Sequence, residues 1–188
     1  MGQAKTLTQA EIDKVLAYIA TKSFAQRNRV MLLTSFWSGM RVGEIASLKV
    51  GDVMGADGAV KNEVRLTADQ TKGRHPRTVF IGEKLRTELE RYLFVRRVTD
   101  LEQPLFITAG RKAFSANVLT QHFFWLYRKA GVDGASSHSG RRSFITNLAS
   151  KGIGVRVLAS LAGHRSIAVT QKYIDVNDDM KRNAVELV

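Results

Sequence analysis

The chain has 188 residues and no cysteine, and its 29 Lys and Arg residues exceed its 17 Asp and Glu residues, which gives a net charge of +12. The lack of cysteine excludes disulfides, thiolate nucleophiles and cysteine-ligated metal sites. No apolar run approaches the roughly 20 residues of a membrane-spanning helix, and the N-terminus lacks the apolar core of a signal peptide. We therefore expect a cytoplasmic protein with no membrane partner. The positive charge favours a nucleic-acid partner, although a basic surface in contact only with solvent has the same composition.

Helical patterns occupy the first forty residues. The segment Thr8-Gln9-Ala10-Glu11 is a capping box, and apolar residues at helical spacing follow it. A second helix is predicted over residues 24–37, with Arg27 and Arg29 on its outer face. Both helices belong to a folded domain whose apolar content, 44%, is that of a globular protein.

Arg41 lies at the start of a short helix predicted over Val42–Leu48. A cation at that end opposes the helix dipole, yet a guanidinium beside free backbone N–H groups also forms a site for an anion. Glu44 follows three residues later and is placed to reach back to Arg41. From this segment alone, a surface Arg–Glu pair of small energetic value is the simpler interpretation.

The hydrophobic pattern changes to period two between residues 51 and 81, which predicts a small antiparallel sheet. Lys72 falls near the tip of the hairpin. Arg74, His75 and Arg77 make the same tip strongly cationic. Such a tip suits either a solvated loop or a contact with nucleic acid.

The remainder of the chain is predicted to be helical over residues 83–97, 116–130, 140–150 and 155–161. Ser115 is the expected cap of the second of these helices, and Phe123, Phe124 and Trp125 are assigned to the core. Helices outnumber strands, so the predicted fold is α+β and mainly α, a single helical domain over 1–188 with a small antiparallel sheet that carries a basic β-hairpin. The amphipathic tail, residues 175–188, either folds back on its own domain or docks on another molecule.

The stretch from His138 to Tyr173 concentrates groups suited to chemistry on a phosphodiester. His138 and Arg141 are three residues apart and share a helix face. His164 follows the glycine at which a helix is expected to end, and Tyr173 lies nine residues further on. The four histidines of the chain form no metal-ligand pattern, so no metal site is expected.

Five motifs occur in a characteristic order: GMRVGE at 39–44, the lysine of TKGRHPRTVFI at 71–81, HSGRR at 138–142, LAGH at 161–164, and Tyr173. Together they resemble the catalytic domain of the tyrosine recombinases, the phage-integrase family. The resemblance covers about residues 6–176; each motif is weak alone, but their order and spacing are specific. It implies catalytic roles for Arg41, Lys72, His138, Arg141, His164 and Tyr173, with Glu44 in support. We further predict DNA contacts by Arg74, Arg77, Arg142 and Arg165.

The resemblance implies a site-specific DNA recombinase or integrase that forms a covalent 3′-phosphotyrosyl intermediate without metal, ATP or another cofactor. Arg41 and Arg141 would neutralise the nonbridging phosphate oxygens. A tyrosine hydroxyl must lose its proton to attack, and we assign that proton to neutral His138. Lys72 would protonate the departing 5′-oxygen, while His164 would hydrogen-bond the phosphate.

The expected partners are a double-stranded DNA recombination site, further copies of the chain in a tetramer on DNA, and accessory DNA-bending proteins, in a nucleoid-associated location. Family members usually carry an N-terminal helical core-binding domain, and none is predicted here; an excised fragment and a natural short member both remain open. Two other functions also remain open. One is DNA relaxation of the type IB topoisomerase kind, and the other is DNA binding by a regulator that has lost catalysis.

Overall fold

The computed structural model describes residues 4–98, 100–174 and 178–186. Within them, the elements in chain order are α1 Gln9–Ala20, α2 Ala25–Ser38, α3 Val42–Ser47, α4 Val50–Val53, β1 Glu63–Leu66, β2 Arg77–Phe80, α5 Glu83–Arg96, α6 Ala116–Lys129, α7 Ser139–Ser150, α8 Val155–Ala162, α9 Ile167–Gln171 and α10 Asp178–Val185. This architecture confirms the predicted α+β, mainly α fold class. In the part of the chain described, no helix has both the length and the apolar character needed to cross a membrane.

Local capping chemistry sets the starts of two helices where the sequence predicts them. Thr8 Oγ1 accepts a hydrogen bond from Glu11 N (3.2 Å), and a Glu11 carboxylate oxygen accepts one from Thr8 N (3.0 Å). Ser115 Oγ likewise accepts from Val118 N (3.2 Å) at the start of α6. These bonds satisfy backbone N–H groups that have no partner within the helix.

Helix α2 forms the centre of the core and packs against α1, α3, α5 and α7. Because neighbours cover it on several sides, the outward position predicted for Arg27 is wrong: its side chain is buried. Arg27 Nη1 donates to the Ile107 carbonyl (2.7 Å), and Nε and Nη2 donate to Asn28 Oδ1 (3.1 and 2.9 Å). Arg29 is partly exposed and pairs with Glu88 of α5 at 2.7 Å.

Only one of the three aromatic residues assigned to the core of α6 is buried. Phe123 shares the inward face with Leu119 and Leu126, whereas Phe124 and Trp125 are 40% and 48% exposed. Successive helical residues differ in direction by about 100°, so three consecutive residues do not face one core. The prediction for Phe124 and Trp125 is therefore wrong.

The sheet has two antiparallel strands, in the register Glu63↔Phe80 to Leu66↔Arg77. The connecting loop, residues 67–76, reverses direction at Gly73 and Arg74, both of which have positive φ (94° and 57°). Lys72 immediately precedes this reversal and is exposed. The predicted basic hairpin is thus present.

Helices α2 and α7 cross closely at Gly140, which lies between His138 and Arg141 of the HSGRR motif. A Cβ atom at residue 140 would clash with the Ser35 side chain and lie 3.2 Å from the Ser35 carbonyl carbon. The close approach places Arg141 so that its Nη1 donates to the Gly39 carbonyl at 2.6 Å. The glycine at position 140 therefore allows the close packing that brings the HSGRR motif next to the GMRVGE motif.

We expect Gly140→Ala to lower the free energy of unfolding by about 1–3 kcal/mol, because α2 and α7 must separate to admit the methyl group. The matched control is Gly43→Ala in α3, where the added Cβ meets only Ala116 Cβ at an ordinary 3.8 Å. That change should raise the stability by about 0.5–1 kcal/mol through helix propensity. Urea unfolding followed by circular dichroism measures both; equal stability of the two variants would contradict the packing argument.

Candidate active site

Three arginines from different elements converge on the C-terminal end of α8. The carbonyls of residues 161–163 accept in order from Arg77 Nη1 (2.9 Å), Arg141 Nη2 (2.5 Å) and Arg41 Nη2 (3.2 Å). The last carbonyls of a helix have no intrahelical partner and carry partial negative charge. Gly163 adopts φ 62° and ends the helix, as the sequence predicts. The LAGH motif thus supplies the acceptors that hold the arginines in place.

Glu44 is buried beneath this arginine cluster, with 1% of its side chain exposed. Its carboxylate accepts from Arg77 Nη2 (2.7 Å) and Nε (3.2 Å), from Arg41 Nη1 (2.9 Å) and from Arg41 N (2.8 Å). Burial by itself raises the pKa of Glu44, but the hydrogen bonds and charges of Arg77 and Arg41 outweigh it and lower the pKa. The interpretation of Arg41 and Glu44 as a surface pair is therefore wrong, whereas the predicted reach of Glu44 back to Arg41 is present.

Arg77 lies inside the protein rather than at the hairpin tip. Its side chain is 10% exposed, and its Nε, Nη1 and Nη2 atoms all donate to protein acceptors. This geometry argues against the predicted direct contact of Arg77 with DNA. The reason is that the hairpin loop extends well beyond the start of β2, so that Arg77 lies at its base against Gly163.

One cavity of about 510 Å³ brings together all six residues that the motifs single out as catalytic. Arg41 comes from the start of α3, Lys72 from the hairpin loop, and His138 and Arg141 from the start of α7. The described residues that line the cavity are Ala4, Arg41, Lys72, His138, Arg141, Arg142, His164, Val169, Lys172 and Tyr173. Five of these are cationic and none is acidic, which favours an anionic ligand.

Arg141 is the most deeply buried cation of the cavity, with a relative exposure of 4%. Its guanidinium joins α2 to the end of α8, since Nη1 and Nη2 donate to Gly39 O and Ala162 O. Burial, together with the charges of Arg41 and Arg77, lowers the pKa of Arg141 to about 9. The group therefore remains protonated at neutral pH and retains N–H donors for an anion.

Both cavity histidines are neutral at neutral pH. Burial first, and then the charges of Arg141, Lys72 and Arg41, lower the pKa of His138 from 6.5. Burial and the arginine cluster lower the pKa of His164 to about 4. The Nδ1 atom of His164 lies 2.9 Å from the hydroxyl of buried Thr170, which fixes the imidazole ring. Neutral imidazoles can accept a proton.

Tyr173 lies in the turn after α9 and faces the same cavity as Arg41 of its own chain. Its ring is 5.6 Å from the His164 ring, centroid to centroid, with an interplanar angle of 25°. The guanidinium carbon of Arg142 lies 5.3 Å from the ring centroid, and Thr146 Oγ1 donates to the Tyr173 carbonyl at 3.3 Å. These contacts hold the Tyr173 ring between His164 and Arg142.

The two remaining arginines predicted to contact DNA lie outside the cavity lining. Arg74 is exposed at the hairpin reversal and pairs with Asp69 at 2.9 Å. Arg165 is exposed beside His164. The motifs did not predict that Thr170, Thr146 and Lys172 belong to the site. The one hint in the sequence was that each lies within a few residues of His164, Arg142 or Tyr173.

The sequence matches the Phage integrase family over residues 5–180. Tyrosine recombinase XerA of Pyrococcus furiosus is 33% identical over 187 residues, a match that covers 97% of this chain and 61% of XerA. Tyrosine recombinase XerD of Xanthomonas campestris is 35% identical over 187 residues, with 90% of this chain and 54% of XerD covered. The chain therefore spans between half and two thirds of the length of these relatives.

Solved structures of site-specific recombinases and integrases share this fold. The crystal structure of XerA recombinase superposes with a TM-score of 0.78 at 24% identity and covers the whole of this chain and 66% of XerA. XerH bound to a palindromic difH substrate gives 0.72 at 21% identity, with 98% and 53% of the two chains covered. A lambda integrase dimer bound to a COC′ core site gives 0.70 at 19% identity, with 93% and 49% covered.

The fold and the cavity define the class: a helical domain with the architecture of the site-specific recombinases and an arginine-rich cavity. The sequence match over residues 5–180 identifies the family within this class. The chain belongs to the phage integrase family.

We expect Glu44→Gln to lower the free energy of unfolding by about 3 kcal/mol at pH 7, because the partly buried guanidinium groups of Arg41 and Arg77 lose their buried counter-charge. The folded pKa of Glu44 is lowered from 4.5, so its contribution is fully present above that value and is lost as the pH falls through the folded pKa. The difference between the two proteins should therefore shrink below pH 4.5. Guanidinium chloride unfolding at several pH values measures it.

The matched control is Glu102→Gln, which removes the carboxylate of an exposed pair with Lys49. Surface pairs contribute little, so this variant should unfold like the unmodified protein. A Glu44→Gln protein of unchanged stability at pH 7 would contradict the proposed role of Glu44 beneath the arginine cluster.

Proposed function

We propose that the chain cleaves and rejoins DNA strands at a specific site through a covalent 3′-phosphotyrosyl intermediate, as a site-specific recombinase or integrase. The observation that carries this proposal is the single cavity in which two arginines, a lysine, two neutral histidines and Tyr173 meet. The proposal takes residues 1–188 as one catalytic domain. DNA-bound structural neighbours such as XerH on difH support it.

Arg41 and Arg141 are suited to bind the phosphate because other bonds already hold their guanidinium groups. Each donates to at least one carbonyl at the end of α8, and Arg141 donates also to Gly39 O. Their remaining N–H groups can donate to the nonbridging oxygens, more strongly as negative charge builds in the transition state. Because the donors are oriented before the substrate binds, little reorganisation accompanies the reaction.

The proton steps use the remaining groups of the cavity. In this proposal His138, neutral at pH 7, takes the hydroxyl proton of Tyr173 as the phenolic oxygen attacks phosphorus. The bond from phosphorus to the 5′-oxygen breaks, and Lys72 gives a proton to that oxygen. His164, oriented by Thr170, donates a hydrogen bond to a phosphate oxygen. A 5′-hydroxyl that attacks the phosphotyrosine reverses the sequence and releases Tyr173.

The proposed substrate is duplex DNA bound through the positive surface around the cavity. Arg74 pairs only with exposed Asp69, so it can exchange that partner for a phosphate at little cost. Arg165 is exposed beside the cavity, and Arg142 lines it. Displacement of counterions by these groups should make the affinity fall steeply with salt.

The proposal extends to a tetramer on DNA assisted by accessory DNA-bending proteins. A structural neighbour, the lambda integrase, is a dimer on its core site. Helix α10, within the tail 175–188, is the segment that we propose docks on a neighbouring copy; residues 175–177 and 187–188 of that tail lie outside the described residues. Docking of α10 on its own domain is the alternative.

The wild-type chain should form an adduct with DNA that survives denaturing detergent, and Tyr173→Phe should form none, because it lacks the nucleophilic oxygen. The probe is a library of nicked duplexes with randomised sequence. Cleavage near the nick releases a short 5′-fragment, and its loss traps the adduct. Sequencing of the trapped DNA identifies the site. An adduct that persists in Tyr173→Phe would overturn the proposal.

Two further results would favour the other functions. Binding of duplex DNA without any adduct in the wild-type chain would favour a regulator that only binds DNA. Relaxation of a supercoiled plasmid that carries the trapped site, without joining of two such sites, would favour a topoisomerase. Strand exchange between two labelled duplexes is the result that we expect.

The rate of adduct formation should stay level from pH 8 to about 6.5 and fall below it, because the pKa of the proposed base His138 is lowered from 6.5 and only its neutral form accepts a proton. His164, with a pKa of about 4, stays neutral throughout this range. The measurement is the second-order rate constant at subsaturating DNA, which reports on the free protein. His138→Gln should be slower and should lack this acid limb; an unchanged pH profile in that variant would exclude His138 as the base.

A further inference from the structure

The N-terminal segment, residues 4–8, lies along α7 beside the cavity. Leu7 N donates to buried Ser143 Oγ at 2.7 Å, which holds the segment on the helix. Lys5 Nζ donates to the Asp133 carbonyl at 3.2 Å and pairs with Glu11. Ala4 reaches the cavity itself. These contacts join residues more than 120 positions apart in sequence, so the segment is a tertiary part of the site.

Thr6 connects this segment to Arg142, the residue after the cavity arginine Arg141. Arg142 Nε donates to Thr6 Oγ1 at 3.1 Å in a partly buried environment. The same guanidinium lies over the Tyr173 ring, at 5.3 Å from its centroid, a distance at which a cation is attracted to the aromatic face. The hydroxyl of Thr6 therefore orients a cation that contacts the nucleophile.

Among the described residues, Tyr173 has a few other contacts, one of which is the hydrogen bond from its own N to the Thr170 carbonyl at 2.9 Å. Helix α9, which precedes it, has only five residues. Thr146, four residues after Arg142 and on the same face of α7, donates to the Tyr173 carbonyl at a long 3.3 Å, and the His164 ring stacks at 5.6 Å. The face of α7 that carries Arg142 and Thr146 thus contacts both the ring and the backbone of the tyrosine.

We propose that Arg142 is a positioning residue for Tyr173 and that the N-terminal segment sets the position of Arg142 through Thr6. The inference rests on the proposed role of Tyr173 as nucleophile. Alignment of the phenolic oxygen with phosphorus depends on the ring position, whereas phosphate binding depends on Arg41 and Arg141. Displacement of residues 4–8 from α7 therefore slows attack while DNA affinity is kept.

A direct contact of Arg142 with a DNA phosphate is the competing role. Loss of such a contact weakens DNA binding. It also reduces by about one the slope of log affinity against log salt concentration, because one counterion fewer is released on binding. Loss of a positioning contact lowers the rate at saturating DNA instead. Thr6 separates the two roles, because a change there leaves the charge of Arg142 in place.

The test compares Thr6→Val, which removes the hydroxyl but keeps the shape, with Thr6→Ser, which keeps the hydroxyl. At saturating trapped-site DNA, Thr6→Val should form the adduct about fivefold more slowly, with an unchanged dissociation constant, because the ring is less well aligned. Thr6→Ser should form the adduct at the rate of the unmodified protein. Thr87→Val removes a hydroxyl that donates to the Glu83 carbonyl within α5, an exposed bond, so it controls for the loss of a threonine hydroxyl elsewhere.

A double-mutant cycle with Arg142→Gln tests whether Thr6 acts through the arginine. Arg142→Gln alone should slow adduct formation about tenfold at saturating DNA, and Thr6→Val should have no further effect in that background. Independent, multiplicative effects would overturn the inference. A rate defect that disappears at high DNA concentration would assign Arg142 to DNA binding instead.

A second readout is independent of DNA and of activity. Incorporation of 3-fluorotyrosine gives one ¹⁹F resonance for each of the four tyrosines, and Tyr173→Phe identifies that of Tyr173. Thr6→Val should shift this resonance, whereas Thr6→Ser and Thr87→Val should leave it in place. If Thr6→Val leaves the resonance unshifted, the inference is overturned even if the proposed recombinase activity is present. If the resonance shifts but the wild-type chain forms no adduct, only the proposed function is overturned.

Discussion

The site depends on the exposed carbonyl end of α8, where three consecutive carbonyls each accept a hydrogen bond from one arginine. Arg41, Arg77 and Arg141 come from α3, β2 and α7, and without acceptors their like charges would repel one another at this separation. The negative end of the helix dipole and the buried carboxylate of Glu44 offset that repulsion. One helix terminus therefore joins elements that are more than a hundred residues apart in the chain.

The same charge balance explains the state of the histidines. Three guanidinium groups surround a single buried carboxylate, so an excess of positive charge remains in the cavity and disfavours a second proton on either imidazole. Burial is the larger cause, and the two effects together lower the pKa of both His138 and His164. An arrangement of charges that suits an anionic ligand thus also favours the neutral form of the two imidazoles.

Local rules written into the sequence predicted much of this molecule, because they depend on neighbours in the chain. The capping box at Thr8, the cap at Ser115, the helix end at Gly163 and the basic hairpin are all present. The wrong prediction for Phe124 and Trp125 ignored a local rule, the spacing of one helix face, whereas the wrong positions predicted for Arg27 and Arg77 depended on remote segments. The burial of Arg27 and Arg77 follows from acceptors at Ile107 and Leu161, which are backbone carbonyls and leave no mark in a sequence pattern. The six cavity residues were predicted from the order and spacing of the five motifs and the family that these motifs resemble. The Thr6–Arg142 contact spans 136 positions, belongs to none of those motifs as a pair, and is visible only in three dimensions.

The two halves of the cavity differ in how firmly they are held. Arg41, Arg141 and Glu44 lie in a network of short hydrogen bonds that is buried or partly buried, so this half of the cavity has little freedom to move. Tyr173 follows a five-residue helix, and the described residues hold it by two ring contacts, the hydrogen bond from Tyr173 N to the Thr170 carbonyl (2.9 Å) and the longer one from Thr146 Oγ1 (3.3 Å). Segments with few buried contacts are the first to open locally. Tyr173, the proposed nucleophile, is therefore the more adjustable part of the site. Contacts with Tyr173, such as the one that we propose Thr6 sets through Arg142, are where partners or flanking segments can control the proposed reaction without altering Arg41, Arg141 or Glu44.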